Sequence, residues 1–271
     1  MEQLGHQVTG IPRVILGQIN QLTAFFEEEK PDYIFHLAAY GNMSNQKDEQ
    51  AIFEANVIGT WNMLQASKHI PYKVFVNVGS SSEYGRKSQP MSEIDVPETD
   101  TFYGASKIAG TYLARAFARQ YNKPIVTVRP FSVYGPKEAD FRFIPTMINC
   151  IENKKVFHVD PHGVHDWIYI DDLINGMLFL VESGFIKGEI YNIGTGLQTR
   201  NIDVLALMVA ITGKIVETLR DDFMRLHDSF TWRADVTKMG LLGWKPKISL
   251  REGLTKTYEW YRKQRTQEKN N

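Results

Sequence analysis

Cysteine is almost missing from this chain. Cys150 stands alone in "MINCIEN", so no disulfide can form within the chain, and a buried inert thiol is its ordinary role. Net charge is missing too. The 31 basic and 31 acidic side chains cancel, and no long basic run occurs, which argues against nucleic acid as the main partner. Long apolar runs are absent: "GMLFLVESG" and its like are too short to span a bilayer. The opening "MEQLGHQVTG" has neither a basic n-region nor an apolar h-region, so it does not read as a signal peptide, and a cytoplasmic protein is expected. Internal repeats and low-complexity segments are lacking as well.

What is present is an alternation of short apolar runs with amphipathic ones. Residues 6–11, 32–39, 73–80, 124–130 and 189–194 read as strands. Residues 19–30, 51–68, 104–121, 201–213 and 249–264 read as helices. Ser249 and Glu252 form a capping box for the last of these, and "RTQEKNN" beyond it reads as frayed. Near-continuous apolar strands separated by helices predict βαβ units and a parallel sheet covered on both faces. Pro136 closes the regular part, and 137–165 is irregular apart from a short helix near "IPTMINCIENK".

One stretch carries chemistry. In "FYGASK", Tyr103 and Lys107 lie four residues apart and share a helix face. A lysine cation beside a phenol favours the phenolate, which can then exchange a proton with a hydroxyl or carbonyl. The pair alone is weak evidence, because the same spacing is common in ordinary helices. Its context strengthens it: "FVNVGSSSEYG" upstream is a buried strand running into a serine-rich turn, and open parallel sheets bind ligands at the carboxyl ends of their strands. The bland reading of those serines is turn chemistry. "HVDPHGVHD" gathers His158, Asp160, His162 and His165, but no helical register puts them on one face, and no metal is expected.

The stretches "PDYIFHLAA", "NVIGTWNML", "VGSSSEYG", "YGASK", "RPFSVYGP", "HDWIYIDDL", "YNIGTG" and "LGWKPKISLREGL" come in an order and at a spacing that resemble the extended short-chain dehydrogenase/reductases, the NAD-dependent epimerase/dehydratase group that modifies nucleotide sugars. The resemblance covers nearly the whole chain. It implies an α/β fold, a Rossmann-like doubly wound parallel sheet without its first strand, and a smaller substrate lobe. It implies a dinucleotide-binding domain over 1–136 and 166–196, and a sugar-nucleotide lobe over 137–165 and 197–271. Tyr103 would be the acid/base, Lys107 would hold the cofactor ribose, and Ser80 would complete the catalytic set. His36, Leu37, Ala38, Ala39 and Asn56, with Pro130 to Val133 at the nicotinamide, would contact NAD or NADP. Ser81, Ser82, Glu83, Ser132, His165 and Arg225 would face a nucleoside-diphosphate sugar, the arginine because its fork matches phosphate oxygens. A homodimer through the helices carrying Tyr103 and residues 51–68 is implied too.

Departures from the family are informative. Gly5, Gly10 and Gly17 do not form the family's G-x-x-G-x-x-G loop, which binds the pyrophosphate at a helix N-terminus. The first strand, that loop and most of the first helix are not in this sequence, so dinucleotide binding weaker than the family's is expected of it. "GTG" at 194–196 matches a different family loop. Dehydratases of the family carry a glutamate two residues before the Tyr of Tyr-Gly, where this chain has Ser82; an epimerase or 4-keto-reductase is therefore the expectation. Ser132 replaces a usual asparagine and His165 a frequent arginine. Past the second strand Pro12 takes the place of a ribose-binding acid, and Arg13 tilts the cofactor slightly towards NADP. The alternative is a non-catalytic member that keeps only sugar-nucleotide binding or an assembly role.

Overall fold

A computed structural model describes residues 5–43, 45–220 and 231–270. In chain order the elements begin with α1 (Ile19–Glu29), β1 (Tyr33–His36), α2 (Glu49–Phe53), α3 (Gly59–Ala66) and β2 (Val74–Val78). Then come α4 (Phe102–Gln120), β3 (Ile125–Pro130), β4 (Ser132–Tyr134), α5 (Phe143–Asn153), β5 (Phe157–Val159), β6 (Val164–His165) and β7 (Trp167–Tyr169). The chain continues with α6 (Ile170–Ser183), β8 (Ile190–Ile193), β9 (Thr199–Arg200), α7 (Asn201–Thr212), β10 (Thr218–Arg220), α8 (Thr237–Leu241) and α9 (Leu250–Asn270).

By packing, the chain divides into two units. The first holds residues 1–83, 97–129 and 183–191. The second holds 84–96, 130–182 and 192–271. Residues 84–96, 130–136, 166–182 and 192–196, expected with the dinucleotide-binding part, thus pack with the second unit.

The main sheet runs in the order β1-β2-β3-β8. β1 pairs β2 in parallel with Tyr33 beside Val74 and His36 beside Asn77, and β2 pairs β3 in parallel with Phe75 beside Ile125. β2, β3 and β8 are buried along nearly their whole length, which is why they read as continuous runs, whereas β1 alternates between half-buried and buried residues. Leu22 and Phe26 of α1, Met63 and Leu64 of α3, and Ala114 and Phe117 of α4 pack with Ile34, Phe75 and Ile125 of the strands. Between α2 and α3 the backbone widens into a π turn over Glu54–Ile58. Such insertions in a helix often mark functional positions, and this one carries Asn56.

Residues 6–11, expected as a strand, are irregular and mostly exposed. A strand needs partners for its backbone groups, and among the described residues none pairs with the outer edge of β1. The rest of the expected pattern is present with ends shifted by a few residues. α9 continues as helix to Asn270, through residues expected to fray.

In the second unit, Ile144, Met147, Ile148, Phe157, Trp167, Val204, Met208 and Leu254 share one core. Two buried aspartates tie its loops together. Asp166 accepts the backbone N–H groups of Thr195, Gly196 and Ala234. Asp172 accepts those of Lys247 and Ile248. Each substitutes for a backbone acceptor in a segment that lacks ladder partners. Ser249 Oγ caps α9 by accepting the Glu252 N–H at 3.2 Å.

Candidate active site

The site in the first unit grows from the carboxyl end of β2. After Val78 the chain passes Gly79 and Ser80 into a tight turn at Ser81–Glu83. α4 is capped by Thr101, whose hydroxyl accepts the Gly104 N–H at 2.9 Å, so Tyr103 falls in the first turn of the helix. Gly104 lets α4 approach the serine turn. A side chain there would run into the Thr99 hydroxyl and would lie 2.7 Å from the Ser82 carbonyl oxygen. One turn further on, the Lys107 ammonium donates to the Val78 carbonyl at 2.5 Å. Lys107 thereby reaches the carboxyl end of β2, two residues before Ser80, and Tyr103 lies one turn earlier on the same helix.

Asn56 braces this edge. Its Nδ2 donates to the Tyr40 carbonyl at 2.7 Å and to Ser106 Oγ at 2.8 Å, and its Oδ1 accepts the Tyr40 N–H at 2.8 Å. Ser106 Oγ donates in turn to the Tyr103 carbonyl at 2.7 Å. A single amide thus joins the loop after β1 to the helix that bears the tyrosine.

Lys107 is buried, and desolvation lowers its pKa to about 8, with Glu83 acting in the opposite direction. Glu83, expected to face the sugar nucleotide, is turned into the interior. It is 0% exposed, and Arg129 Nη2 lies 2.7 Å from its Oε2. A carboxylate with no solvent and two guanidinium donors on one oxygen is committed to the interior. Ser81 is also buried, whereas Ser82 is half-exposed. His36 is buried as well. Its ring is enclosed, with Nε2 3.0 Å from Thr60 Oγ1, and burial, reinforced by the Lys107 charge, lowers its pKa to about 3. Beyond it Leu37 is 60% exposed and Ala39 is exposed, so the open part of this strand end begins after the histidine. Arg13 lies over the Tyr40 ring at 5.5 Å.

In the second unit Ser132 and His165 meet, with Ser132 Oγ 3.2 Å from His165 Nδ1. β4 and β7 bring them together, pairing Ser132 with Trp167 and Val133 with Ile168. Pro130 and Val133 are half-buried. Arg225 lies outside the described residues. Among the described residues, no group of three or more His, Cys, Asp or Glu side chains could hold a metal ion.

Sequence reasoning missed the partnership of Glu83 with Arg129 and the role of Thr111, whose hydroxyl donates to Glu83 Oε1 at 3.0 Å. One signal was available. An arginine inside the apolar strand "PIVTVRP" requires a buried acidic partner.

A parallel α/β sheet with these residues at its carboxyl edge defines a Rossmann-type fold. The chain belongs to the NAD dependent epimerase/dehydratase family, whose profile matches residues 4–194. Among curated relatives, the dTDP-D-glucose 4,6-dehydratase of Dictyostelium discoideum is 26% identical, with 90% of this chain and 67% of the relative covered. The dTDP-glucose 4,6-dehydratase 1 of Escherichia coli K12 is 28% identical, covering 89% and 75%. Among solved structures, the UDP-glucuronic acid 4-epimerase of Bacillus cereus, in complex with UDP-glucuronic acid and NAD, superposes with a TM-score of 0.82 at 29% identity, covering 90% of this chain and 78% of that one. The UDP-glucose 4-epimerase of Thermotoga maritima, with UDP-glucose, gives 0.85 at 27% identity, covering 92% and 83%.

Proposed function

We propose that this protein is an NAD(P)-dependent nucleotide-sugar epimerase or 4-keto-reductase. Tyr103 moves the proton of a sugar hydroxyl, Lys107 supplies the positive charge beside it, and Ser80 hydrogen-bonds the same oxygen. A bound nicotinamide would take and return the hydride. The residues present suit the ribose and nicotinamide side of such a cofactor: Lys107, Tyr103, the open strand end at Leu37, Ala38 and Ala39, and the loop that Asn56 holds. His36 serves this side by packing and through its backbone. Pro130, Ser132, Val133, His165 and Arg225 are assigned to the cofactor and sugar nucleotide by family likeness.

The burial of Glu83 carries the choice of reaction. Dehydration needs a carboxylate in the serine turn to abstract a proton, and the one carboxylate of that turn is enclosed with Arg129. Ser82 cannot replace it as a base. A hydride-and-proton cycle at one sugar carbon needs only Ser80, Tyr103 and Lys107 with the nicotinamide.

A homodimer is part of the proposal. α2, α3 and α4 leave Phe53, Trp61 and Tyr112 exposed at 50%, 40% and 48%, while Ile52 and Phe117 turn inward. No helix among the described residues is long and apolar enough to cross a membrane, and we place the protein in the cytoplasm with its substrates.

The test is product analysis. The protein is incubated with NAD or NADPH and with UDP-glucose, UDP-glucuronic acid or a dTDP-linked 4-keto sugar, and products are read by NMR. A product altered only at C4 is expected. Accumulation of a 4-keto-6-deoxy sugar from dTDP-glucose would contradict the assignment.

A further inference from the structure

Beneath the serine turn lies a charged cluster that the proposed proton chemistry does not use. Glu83 and Arg129 are 0% and 1% exposed. Arg129 Nε and Nη2 donate to Glu83 Oε2 at 2.9 and 2.7 Å. Glu83 Oε1 accepts the Ser80 N–H at 2.8 Å and the Thr111 hydroxyl at 3.0 Å. Both carboxylate oxygens are therefore held by donors, two of them on a guanidinium, and this favours the ionised form. Burial raises the carboxyl pKa above the usual carboxylate range, and Arg129, Ser80 and Thr111 offset part of that rise.

The backbone is shaped around this carboxylate. A side chain on Gly79 would collide with Glu83 Oε1 and would come within 3.2 Å of both Arg129 Cγ and Thr111 Oγ1. Glycine at 79 thus lets the strand end lie directly on the acid. On α4, Lys107 and Thr111 are one turn apart and share a face. Thr111 grips Glu83, and Lys107 donates to the carbonyl of Val78, the residue before Gly79. The ammonium and the carboxylate therefore flank the same short piece of backbone.

Burying an ion pair rarely adds stability, because removing two charges from water costs about what their attraction returns. A pair kept in such a place is better explained by what it positions. Lys107 faces Glu83 from the turn after β2 and His36 from β1, with Arg129 of β3 behind the carboxylate and Tyr103 one turn earlier on its own helix. The guanidinium on its Oε2 makes Glu83 the carboxylate partner in this group.

We propose that Glu83 is a positioning residue for the Ser80, Tyr103 and Lys107 set: its carboxylate fixes the backbone of Ser80 and provides the negative charge against which Lys107 keeps its proton, while Arg129 holds the carboxylate in place. The catalytic consequence rests on the reading of Tyr103 as the acid/base. The electrostatic core of the proposal does not.

The experiment is an NMR titration of the full chain labelled with 13Cε-lysine, with the Lys107 signal assigned by its loss in Lys107→Met. It is run on wild type, on Glu83→Gln, and on the double variant Glu83→Gln/Arg129→Met. Glu83→Gln keeps the shape and an acceptor for the Ser80 N–H but removes the charge. The Lys107 midpoint is expected to fall by about one unit in Glu83→Gln, a tenfold loss of the charged form relative to the neutral one. It stays below wild type in the double variant, even where removing both charges restores the melting temperature. If Glu83→Gln does not fold, the double variant carries the comparison. An unchanged Lys107 midpoint overturns the proposal.

Turnover gives the second readout. Glu83→Gln is expected to lower kcat at neutral pH with little change in KM, and to move the alkaline limb of the pH profile downward by the same unit. Lack of turnover by every variant and by wild type would remove the enzymatic reading, while the Lys107 titration would still decide the role of Glu83.

Discussion

Asn56 donates to Ser106 Oγ at 2.8 Å, and this contact between residues fifty positions apart sets where Tyr103 can sit. Asn56 stands on the π turn between α2 and α3, Ser106 on the helix that carries the tyrosine, and Ser106 also bonds the Tyr103 carbonyl. Burial of Asn56 and Ser106 makes the contact costly to leave half-made. The site is therefore assembled by helix-to-helix bonding, and the sheet supplies its floor.

His36 makes stability depend on pH. The imidazole is enclosed, and its pKa falls from 6.5 to about 3 on folding. Below pH 6.5 the unfolded chain takes up a proton that the native state refuses, so stability is lost as pH falls from there towards 3. Between pH 7 and pH 5 this group alone costs about 2 kcal/mol. His36→Gln can still bond Thr60 but does not titrate. Urea unfolding at the two pH values should show a loss about 2 kcal/mol smaller in the variant; an equal loss in both proteins would contradict the account of His36.

Gly104 is a packing requirement of the site. In Gly104→Ala the new methyl lies 2.7 Å from the Ser82 carbonyl oxygen, a backbone atom that cannot rotate away. The helix start has to retreat from the serine turn, at a cost of about 1–3 kcal/mol. A fall in the urea midpoint with a larger proportional fall in kcat is expected. A variant as stable and as active as wild type would show that α4 and the turn need not touch.

Much of this was legible in the chain, for definite reasons. Buried parallel strands announce themselves through runs such as "KVFVNV", and α4 through the spacing of Ala114, Phe117 and Ala118. Tyr103 and Lys107 could be proposed from their spacing on one helix face, and Ser80 from the family resemblance. The direction of a turn side chain was not readable. Ser81, Ser82 and Glu83 look alike as polar residues, and only the arginine waiting in β3 decides that Glu83 points inward. The strand expected at 6–11 failed for the opposite reason: its local pattern is adequate, but pairing is decided by a neighbour.

The dimer proposal concerns Phe53, Trp61 and Tyr112, which project from α2, α3 and α4. Light scattering at micromolar concentration should give twice the 31.1 kDa chain mass. Trp61→Glu with Tyr112→Glu should reduce it to one chain without unfolding the protein, since these rings are partly solvated. A single-chain mass for wild type would contradict the proposal.

The central claim is that the Tyr103 hydroxyl carries the proton of a sugar hydroxyl. Tyr103→Phe removes that oxygen and keeps the ring. The most direct measurement is kcat/KM for the sugar nucleotide that wild type converts, compared with Tyr103→Phe at matched folding by circular dichroism. The account predicts a fall of about 10²–10⁴-fold, the usual weight of general acid–base catalysis, with the fold retained. Turnover by Tyr103→Phe equal to wild type would contradict it.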